Sequence, residues 1–219
     1  MLYIVSTPIG NLEDITFRAV RTLKEVDLIA AEDTRHTGKL LKHFEIDTPQ
    51  ISFHSHSGTT KLDKIIDALH KGENVALVSD AGTPGISDPG YLLIRRAIEE
   101  GIEVSPIPGA NAALAALVTS GLPMDKFIYI GFPPVKKGRK TLFEGLLGEE
   151  RTIILYESPH RIHRTLADLI KYGFQDHQLS IGREITKLHE TFYRGTVAEV
   201  AASFEEKKVK GELVLILHR

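Results

Sequence analysis

Two carboxylates, Asp80 and Asp88, bracket a run of small residues and turn formers: Ser79-Asp80-Ala81-Gly82-Thr83-Pro84-Gly85-Ile86-Ser87-Asp88-Pro89-Gly90. Asp80 follows Val75-Ala76-Leu77-Val78, a continuous apolar run that reads as a buried strand of an α/β sheet. A carboxylate at that point can accept hydrogen bonds from hydroxyl or ammonium groups. Gly82, Gly85 and Gly90 let backbone come close to a ligand. Ligands of open α/β sheets sit outside the carboxyl ends of the strands, and a long irregular segment between two regular elements points to binding. Asp88 has a second reading as N-cap of the next helix, with Pro89 at its first position, Tyr91, Ile94 and Ile98 as apolar stripe and Gly101 as its end. The loop is not a dinucleotide fingerprint or a P-loop, because neither G-x-G-x-x-G after a strand nor G-x-x-x-x-G-K-[ST] occurs.

Ionisable residues gather at other strand ends as well. Glu32-Asp33-Thr34-Arg35 is either a site or the capped start of a helix over 34–44. His54-Ser55-His56 puts two imidazoles at i, i+2 with no clear carboxylate partner, which suits a polar site edge or surface better than a metal. Lys136, Lys137, Arg139 and Lys140, flanked by Pro133, Pro134 and Gly138, read as a projecting basic loop suited to phosphates, the alternative being a solvated face. Glu157-Ser158-Pro159-His160-Arg161 again joins an acid to a helix start, with Ser158 as cap and Pro159 at the first position. The absence of cysteine excludes disulfides, thiolate catalysis and Cys-ligated metal. A net charge of −2 leaves any nucleic acid to be met by local patches.

The elements that must carry these residues alternate. Strands are expected at 2–5, 27–31, 51–54, 75–78 and 103–107. Between them fall helices over 16–24 (Phe17, Val20 and Leu23 inward), 34–44, a stretch opened by the capping box Thr60-x-x-Asp63, and the helix after Pro89. A small-residue helix, 112–120, ends at Gly121. Gly121-Leu122-Pro123 reads as a boundary, giving an N-terminal α/β domain over 1–121 and a second over 122–219. In the second, strands are expected at 127–132, 151–156, 179–185, 190–194 and 213–217, with helices after Pro159 (Ile162, Leu166, Leu169 and Ile170 inward) and after the capping box Thr196-x-x-Glu199. The fold class is therefore α/β, with two domains that each carry a roughly five-stranded, mostly parallel or mixed sheet flanked by helices. The 219 residues carry 42% hydrophobic and 26% charged residues, and there is no signal peptide or long apolar stretch, so a soluble cytoplasmic protein without a membrane span is expected. A cleft between two such domains is a natural binding site.

Several loops taken together resemble one family. Ser6-Thr7-Pro8-Ile9-Gly10-Asn11-Leu12, Ala31-Glu32-Asp33-Thr34-Arg35, the 79–90 loop, Pro106-Ile107-Pro108-Gly109-Ala110, Tyr156-Glu157-Ser158-Pro159-His160-Arg161 and the run 183–190 are, in order, similar to the tetrapyrrole methylase superfamily, and most similar to its branch of small-subunit ribosomal RNA methyltransferases. The resemblance implies a two-domain methyltransferase that binds S-adenosylmethionine (SAM), is commonly a homodimer and needs no metal. In that branch the substrate is a cytidine ribose 2′-hydroxyl in the decoding region of 16S rRNA, within the small ribosomal subunit. Carried over by position, it implies cofactor contacts from Pro8, Asp80, Ala81, Gly82, Thr83, Ser87, Asp88, Ala110, Asn111 and Tyr156, with the turn leading to Leu213 as a further contact. Members of the branch commonly continue past the final strand into a further helical segment, whereas this sequence stops at Arg219.

A ribose 2′-hydroxyl is a poor nucleophile at neutral pH, so a carboxylate or lysine nearby is expected to assist as base. The candidates are Glu184, Glu32, Asp33 and Lys187, each of which has a structural ion pair as its other reading. Arg35, Arg161, Lys136, Lys137 and Arg139 are the candidate substrate contacts. Two other readings stay open: a methylase of a small, precorrin-like tetrapyrrole, against which the basic loop and the 79–90 loop argue, and a non-catalytic ribosome-binding protein on the same fold.

Overall fold

The computed structural model describes residues 1–54, 59–205 and 208–219; Ser55 and His56 of the paired-histidine motif lie outside the described residues. The chain forms two compact units, Met1–Asn111 and Ala112–Arg219.

In the first unit the strands are β1 (Leu2–Val5), β2 (Leu28–Ala31), β3 (Gln50–Ser52), β4 (Val75–Val78) and β5 (Val104–Ile107). The helices are α1 (Phe17–Glu25), α2 (Thr34–His43), α3 (Thr59–His70) and α4 (Tyr91–Glu99). The sheet order is β3-β2-β4-β1-β5 and every pairing is parallel. Helices cover both faces of such a sheet, which is why β4 is apolar at every position and wholly buried. The order decides which loops are neighbours. Because β4 lies between β2 and β1, the loop after β4 is flanked by Glu32-Asp33 on one side and Ser6-Thr7-Pro8 on the other, and the 108–111 turn follows next to β1.

Two helices turn a partly different face inward from the one the sequence suggests. Thr16 caps α1 as its hydroxyl accepts from Ala19 N–H, and Leu23 is buried and Val20 packs on the core as expected, yet Phe17 is 98% exposed, with Ala19 and Thr22 completing the inward face. In α4 the N-cap is Gly90, not Asp88, and Pro89 lies outside the helix. Starting there, the inward residues are Leu93 and Ala97, with Ile94 half-buried, while Tyr91 and Ile98 face out. The physical reason is close approach: Gly90 has φ 156°, and a Cβ on it would stand 3.2 Å from Leu77 Cδ2 and 3.3 Å from the Gly85 nitrogen. Only glycine fits there.

The second unit opens with α5 (Ala112–Ser120), ten residues before the Gly121-Leu122 boundary that turn composition suggests, because α5 packs against the second sheet. Its strands are β6 (Phe127–Gly131), β7 (Thr152–Glu157), β8 (Gln178–Arg183), β9 (Thr191–Thr196) and β10 (Leu213–His218), and its other helices are α6 (Arg139–Leu146), α7 (Ile162–Lys171) and α8 (Val197–Phe204). The sheet is mixed, in the order β6-β7-β10-β8-β9, with only β6 and β7 parallel. Helix α6 occupies sequence that reads as a basic loop. Helix α7 begins at Ile162 with Arg161 as N-cap, so Ser158 and Pro159 form a turn ahead of it, and Ile170 is exposed where Ile162, Leu166 and Leu169 are buried. The core centres on Phe143, Phe174 and Phe204 with the apolar faces of β7, β8 and β10. Three of the four edge strands are short or interrupted: β3 has three residues, β5 contains Pro106, and β6 has a register shift between Tyr129 and Gly131, whereas β9 pairs with β8 over six residues without a break.

Helix α8 starts with the full capping box expected from Thr196-x-x-Glu199: Glu199 N–H donates to Thr196 Oγ1 and Thr196 N–H to Glu199 Oε2. Thr196→Ala should lower unfolding free energy by about 1 kcal/mol, read as a lower urea midpoint at unchanged slope.

Candidate functional site

Three loops of the first unit are tied into one surface. Thr7 and Gly82 exchange backbone bonds, Thr7 N–H to Gly82 carbonyl at 2.9 Å and the reverse at 3.0 Å. Ser6 and Thr83 hydroxyls meet at 2.9 Å, and Thr83 Oγ1 donates to the Ala110 carbonyl at 3.3 Å. Gly109 lies so close to Ser6 that an added Cβ would stand 3.0 Å from Ser6 Cβ. The 6–8, 79–83 and 108–111 loops thus form a single bonded layer over the carboxyl ends of β4, β1 and β5, and Pro8, Asp80, Gly82, Thr83 and Ala110 all belong to it. Ala81 is exposed on it. Ser87, in a left-handed backbone with φ 65°, and Asp88 lie further along the same loop. Asn111 follows Ala110 and is the last residue of the unit.

On the other flank of β4, the acids interlock through backbone. Asp80 N–H donates to Glu32 Oε2 at 3.3 Å, and Asp33 N–H donates to Asp80 Oδ1 at 3.1 Å. Burial pushes the Glu32 carboxyl above its ordinary value, and the negative charges of Asp80 and Asp33 add to this against the bond from Asp80 N–H and the nearby His54. Asp33 behaves oppositely. It caps α2 and grips Arg35, whose Nη2 lies 2.9 Å from Asp33 Oδ2, and these bonds hold its carboxyl down at about 2. Of the two readings of Glu32-Asp33-Thr34-Arg35, Asp33 takes the cap of α2, while Glu32 is bonded to the loop after β4. A cavity of about 260 Å³ reaches Asp80 from the side of Pro8, His36, Thr37 and Lys39. Sequence reasoning passed over His36 and Lys39, although their position in the first turns after Asp33 puts them at the strand end too.

The second unit also gathers its loops at one sheet end, since β6 and β7 are parallel and β10 starts opposite Glu157 and Arg183. Tyr156 lies there, its ring edge-on to Tyr129 and Phe132 and its hydroxyl accepting from Ala113 N–H at 3.1 Å. Glu157, 1% exposed, accepts from Thr165 Oγ1 at 2.6 Å and pairs with Arg161 Nη2 at 2.8 Å. Arg161 also donates to the Pro133 carbonyl and covers the Phe132 ring.

Arg139 is a correction to the expected basic loop. It is 4% exposed, pairs with Asp168 at 2.6 Å, and donates to Thr165 Oγ1 and the Pro134 carbonyl. The spacing of Arg139, Phe143 and Leu146, all buried, was the available signal that it belongs to a helix stripe. Lys136 and Lys137 do stand exposed, on a loop whose root carbonyls are held by these two arginines.

Glu184 and Lys187 are found in their structural reading. Lys187 Nζ bridges Glu184 at 2.9 Å and Glu212 at 3.1 Å, and Glu184 Oε1 accepts from Glu212 N–H. Burial works against the Glu184 charge, but these bonds outweigh it and keep the carboxyl below its ordinary range. Glu184 has φ 51° and Thr186 φ 69°, so the clasp fixes a strained turn. Leu213 is 2% exposed with its side chain in the core, so a ligand there meets backbone, not that side chain. Among the described residues no group of three or more His, Asp or Glu is arranged to hold a metal ion, and no helix is long and apolar enough to cross a membrane.

Residues 1–201 match the family model described as Tetrapyrrole (Corrin/Porphyrin) Methylases. Over 99% of its length the chain is 55% identical to a protein of Synechocystis sp. and 54% identical to one of Halalkalibacterium halodurans, covering 78% and 75% of those proteins. It is 48% identical to one of Thermotoga maritima, covering 97% of it. Each of the three is named Ribosomal RNA small subunit methyltransferase I. Among solved structures, a cobalt precorrin-4 methyltransferase superposes with TM-score 0.72 at 18% identity, covering 99% of this chain and 94% of that one. A uroporphyrin-III C-methyl transferase from Thermus thermophilus, complexed with S-adenyl homocysteine, gives 0.67 at 17% identity over 100% of this chain and 97% of that one. At such identities these two establish the fold alone.

Arg139→Ala should cost about 3–5 kcal/mol by removing the buried partner of Asp168, Thr165 and the Pro134 carbonyl and leaving Asp168 only the more distant Arg164, at 3.9 Å, whereas Lys136→Ala should change stability by less than about 0.5 kcal/mol. Denaturant titration of the two variants checks the contrast.

Proposed function

The chain belongs to the tetrapyrrole methylase family, and we propose that within it this protein is a SAM-dependent methyltransferase of 16S rRNA, methylating the 2′-hydroxyl of a cytidine in the decoding region. The observation that carries this is near-full-length identity of 48–55% to three relatives of one name from three genera. The finer parts of the reading are a cytoplasmic homodimer that takes the small ribosomal subunit as its substrate.

The first unit's loops fit such a cofactor. Ala81 is exposed on the loop layer, beside Gly82, whose left-handed backbone (φ 81°) and paired bonds to Thr7 fix the turn that presents it. Among the described residues, Asp80 spends one carboxylate oxygen on Asp33 N–H and keeps the other for ribose hydroxyl or ammonium donors. When bound, SAM supplies an electrophilic methyl carbon on a positively charged sulfur, and no metal is required for that chemistry. The chain's own residues hold and orient. Ser6, Thr7 and Thr83 fix the loop layer, and a prearranged geometry of this kind is worth several kcal/mol in bringing reacting atoms together.

As the 2′-oxygen gains the methyl group it loses a proton, and Glu32 is the acceptor we assign. Burial raises the proton affinity of its carboxyl, which makes it a stronger base than an ordinary carboxylate. Asp33, held at about 2 by Arg35, is a weak base, and Glu184 is committed to Lys187 and Glu212. Lys136, Lys137 and Arg35, all exposed, serve RNA phosphates.

The first experiment is transfer of tritiated methyl from SAM to small subunits lacking the modification. Label in 16S rRNA ribose, lost in Asp80→Ala, is the expected result; SAM binding without label would overturn the substrate, and no SAM binding would overturn the reading. A base with a raised pKa is active only when deprotonated, so kcat should rise with pH through an apparent pKa above the ordinary carboxylate range. Glu32→Gln should remove that rise and lower kcat by about 100-fold or more while leaving S-adenosylhomocysteine affinity intact in calorimetry.

A further inference from the structure

Glu32, which accepts from Asp80 N–H, also lines a second cavity whose walls do not include Asp80. It has a volume of about 460 Å³, within the range of small-molecule clefts, and its walls include Glu32, Phe53, His54, Asp88, Pro89 and Tyr91. Its parts come from the ends of β2 and β3, from α3 and from the entry to α4, all within the first unit. One wall is firm. Phe53 is buried, and its N–H donates to the Ala31 carbonyl at 2.7 Å. Another part of the lining is the 87–90 turn, fixed by the packing of Gly90 on Gly85 and Leu77.

Tyr91 stands at the mouth, 65% exposed on the first turn of α4, with Leu92 beside it 60% exposed. A large aromatic ring left in solvent next to a cavity, with a poised carboxylate on the cavity wall, is unlike a core-packing residue. Single-stranded RNA bases are recognised by stacking on such rings, and a base stacked at the mouth brings its own ribose to the wall.

We propose that this cavity receives an unstacked pyrimidine nucleoside of the RNA substrate, with the base on Tyr91 and the ribose hydroxyl toward Glu32. The inference rests on the methyltransferase reading and adds the substrate's place and its mode of recognition. Recognition here is of a flipped or single-stranded nucleotide and not of a duplex, since a stacked, paired base cannot enter. His54, on the same wall as Glu32, is the group placed to influence the carboxylate's proton.

The test uses Tyr91→Ala and Tyr91→Phe in the full chain. Two readouts are taken: methyl transfer to unmodified small subunits, and binding of a cytidine-centred single-stranded pentaribonucleotide in the presence of S-adenosylhomocysteine. Loss of one base–aromatic stack corresponds to roughly a five- to hundredfold change. Tyr91→Ala should therefore raise KM for subunits and weaken the pentanucleotide by that factor. Affinity for S-adenosylhomocysteine should stay at the wild-type value, and Tyr91→Phe, which keeps the ring, should restore pentanucleotide binding relative to Tyr91→Ala. Unchanged KM and unchanged pentanucleotide binding in Tyr91→Ala, in a preparation whose wild type labels subunits, overturn the pocket and leave the function standing. Pentanucleotide binding that depends on Tyr91, in a wild type that labels no subunit, keeps the pocket and removes the proposed substrate.

Discussion

The arrangement of the first unit depends on one constraint, that β4 runs parallel between β2 and β1. Parallel neighbours end at the same edge, so their loops compete for the same few ångströms, and each loop's polar backbone must find partners in the next. The solution is reciprocal. Glu32 takes the amide of Asp80, Asp80 takes the amide of Asp33, and Thr7 exchanges both its backbone groups with Gly82. Displacing any of these loops would strand a donor beside two carboxylates. The same packing removes water from Glu32, and its raised proton affinity is a by-product of closing the sheet edge.

The second unit solves a different problem, that of holding an exposed cationic loop still. Two arginines reach back from the helices on either side and take the Pro133 and Pro134 carbonyls, which have no strand partner. Asp168, Thr165 and buried Glu157 then hold the arginines. A loop bound at its root loses less conformational freedom when it meets a partner, so its lysines can spend their attraction on binding. The positive charge that sequence inspection sees as one patch is split by the fold into a buried anchor, Arg139, and exposed lysines.

The apolar runs made the strands legible, because a parallel strand buried on both faces has only one composition. Ala112–Ser120, the Thr196 capping box and the glycine-rich loop were legible for similarly local reasons. Phe17, Arg139 and Leu213 were not. Phe17 is apolar and outward, Arg139 charged and inward, so hydropathy misreads both; only the phase of their helices places them. Leu213 opens β10, and strand alternation sends its side chain to the core. The α4 stripe was misjudged because a steric fact, the contact of Gly90 with Gly85 and Leu77, sets where the helix starts. Likewise α5 ends in turn-forming residues yet belongs to the unit behind it, since its small, apolar face fits the second sheet.

Proline at position 106 reaches beyond the first sheet. The register of β5 on β1, with Leu2 N–H donating to Glu103 carbonyl, sends the amide positions of Val104 and Pro106 to the outer side, and one of those two positions has no hydrogen to give. At the opposite margin β3 offers three residues, too few to template a stable pairing. While the first unit emerges from the ribosome and its partner half is still unmade, neither margin invites another nascent chain to add a strand. The first sheet, taken alone, thereby lacks the simplest route to β-aggregation.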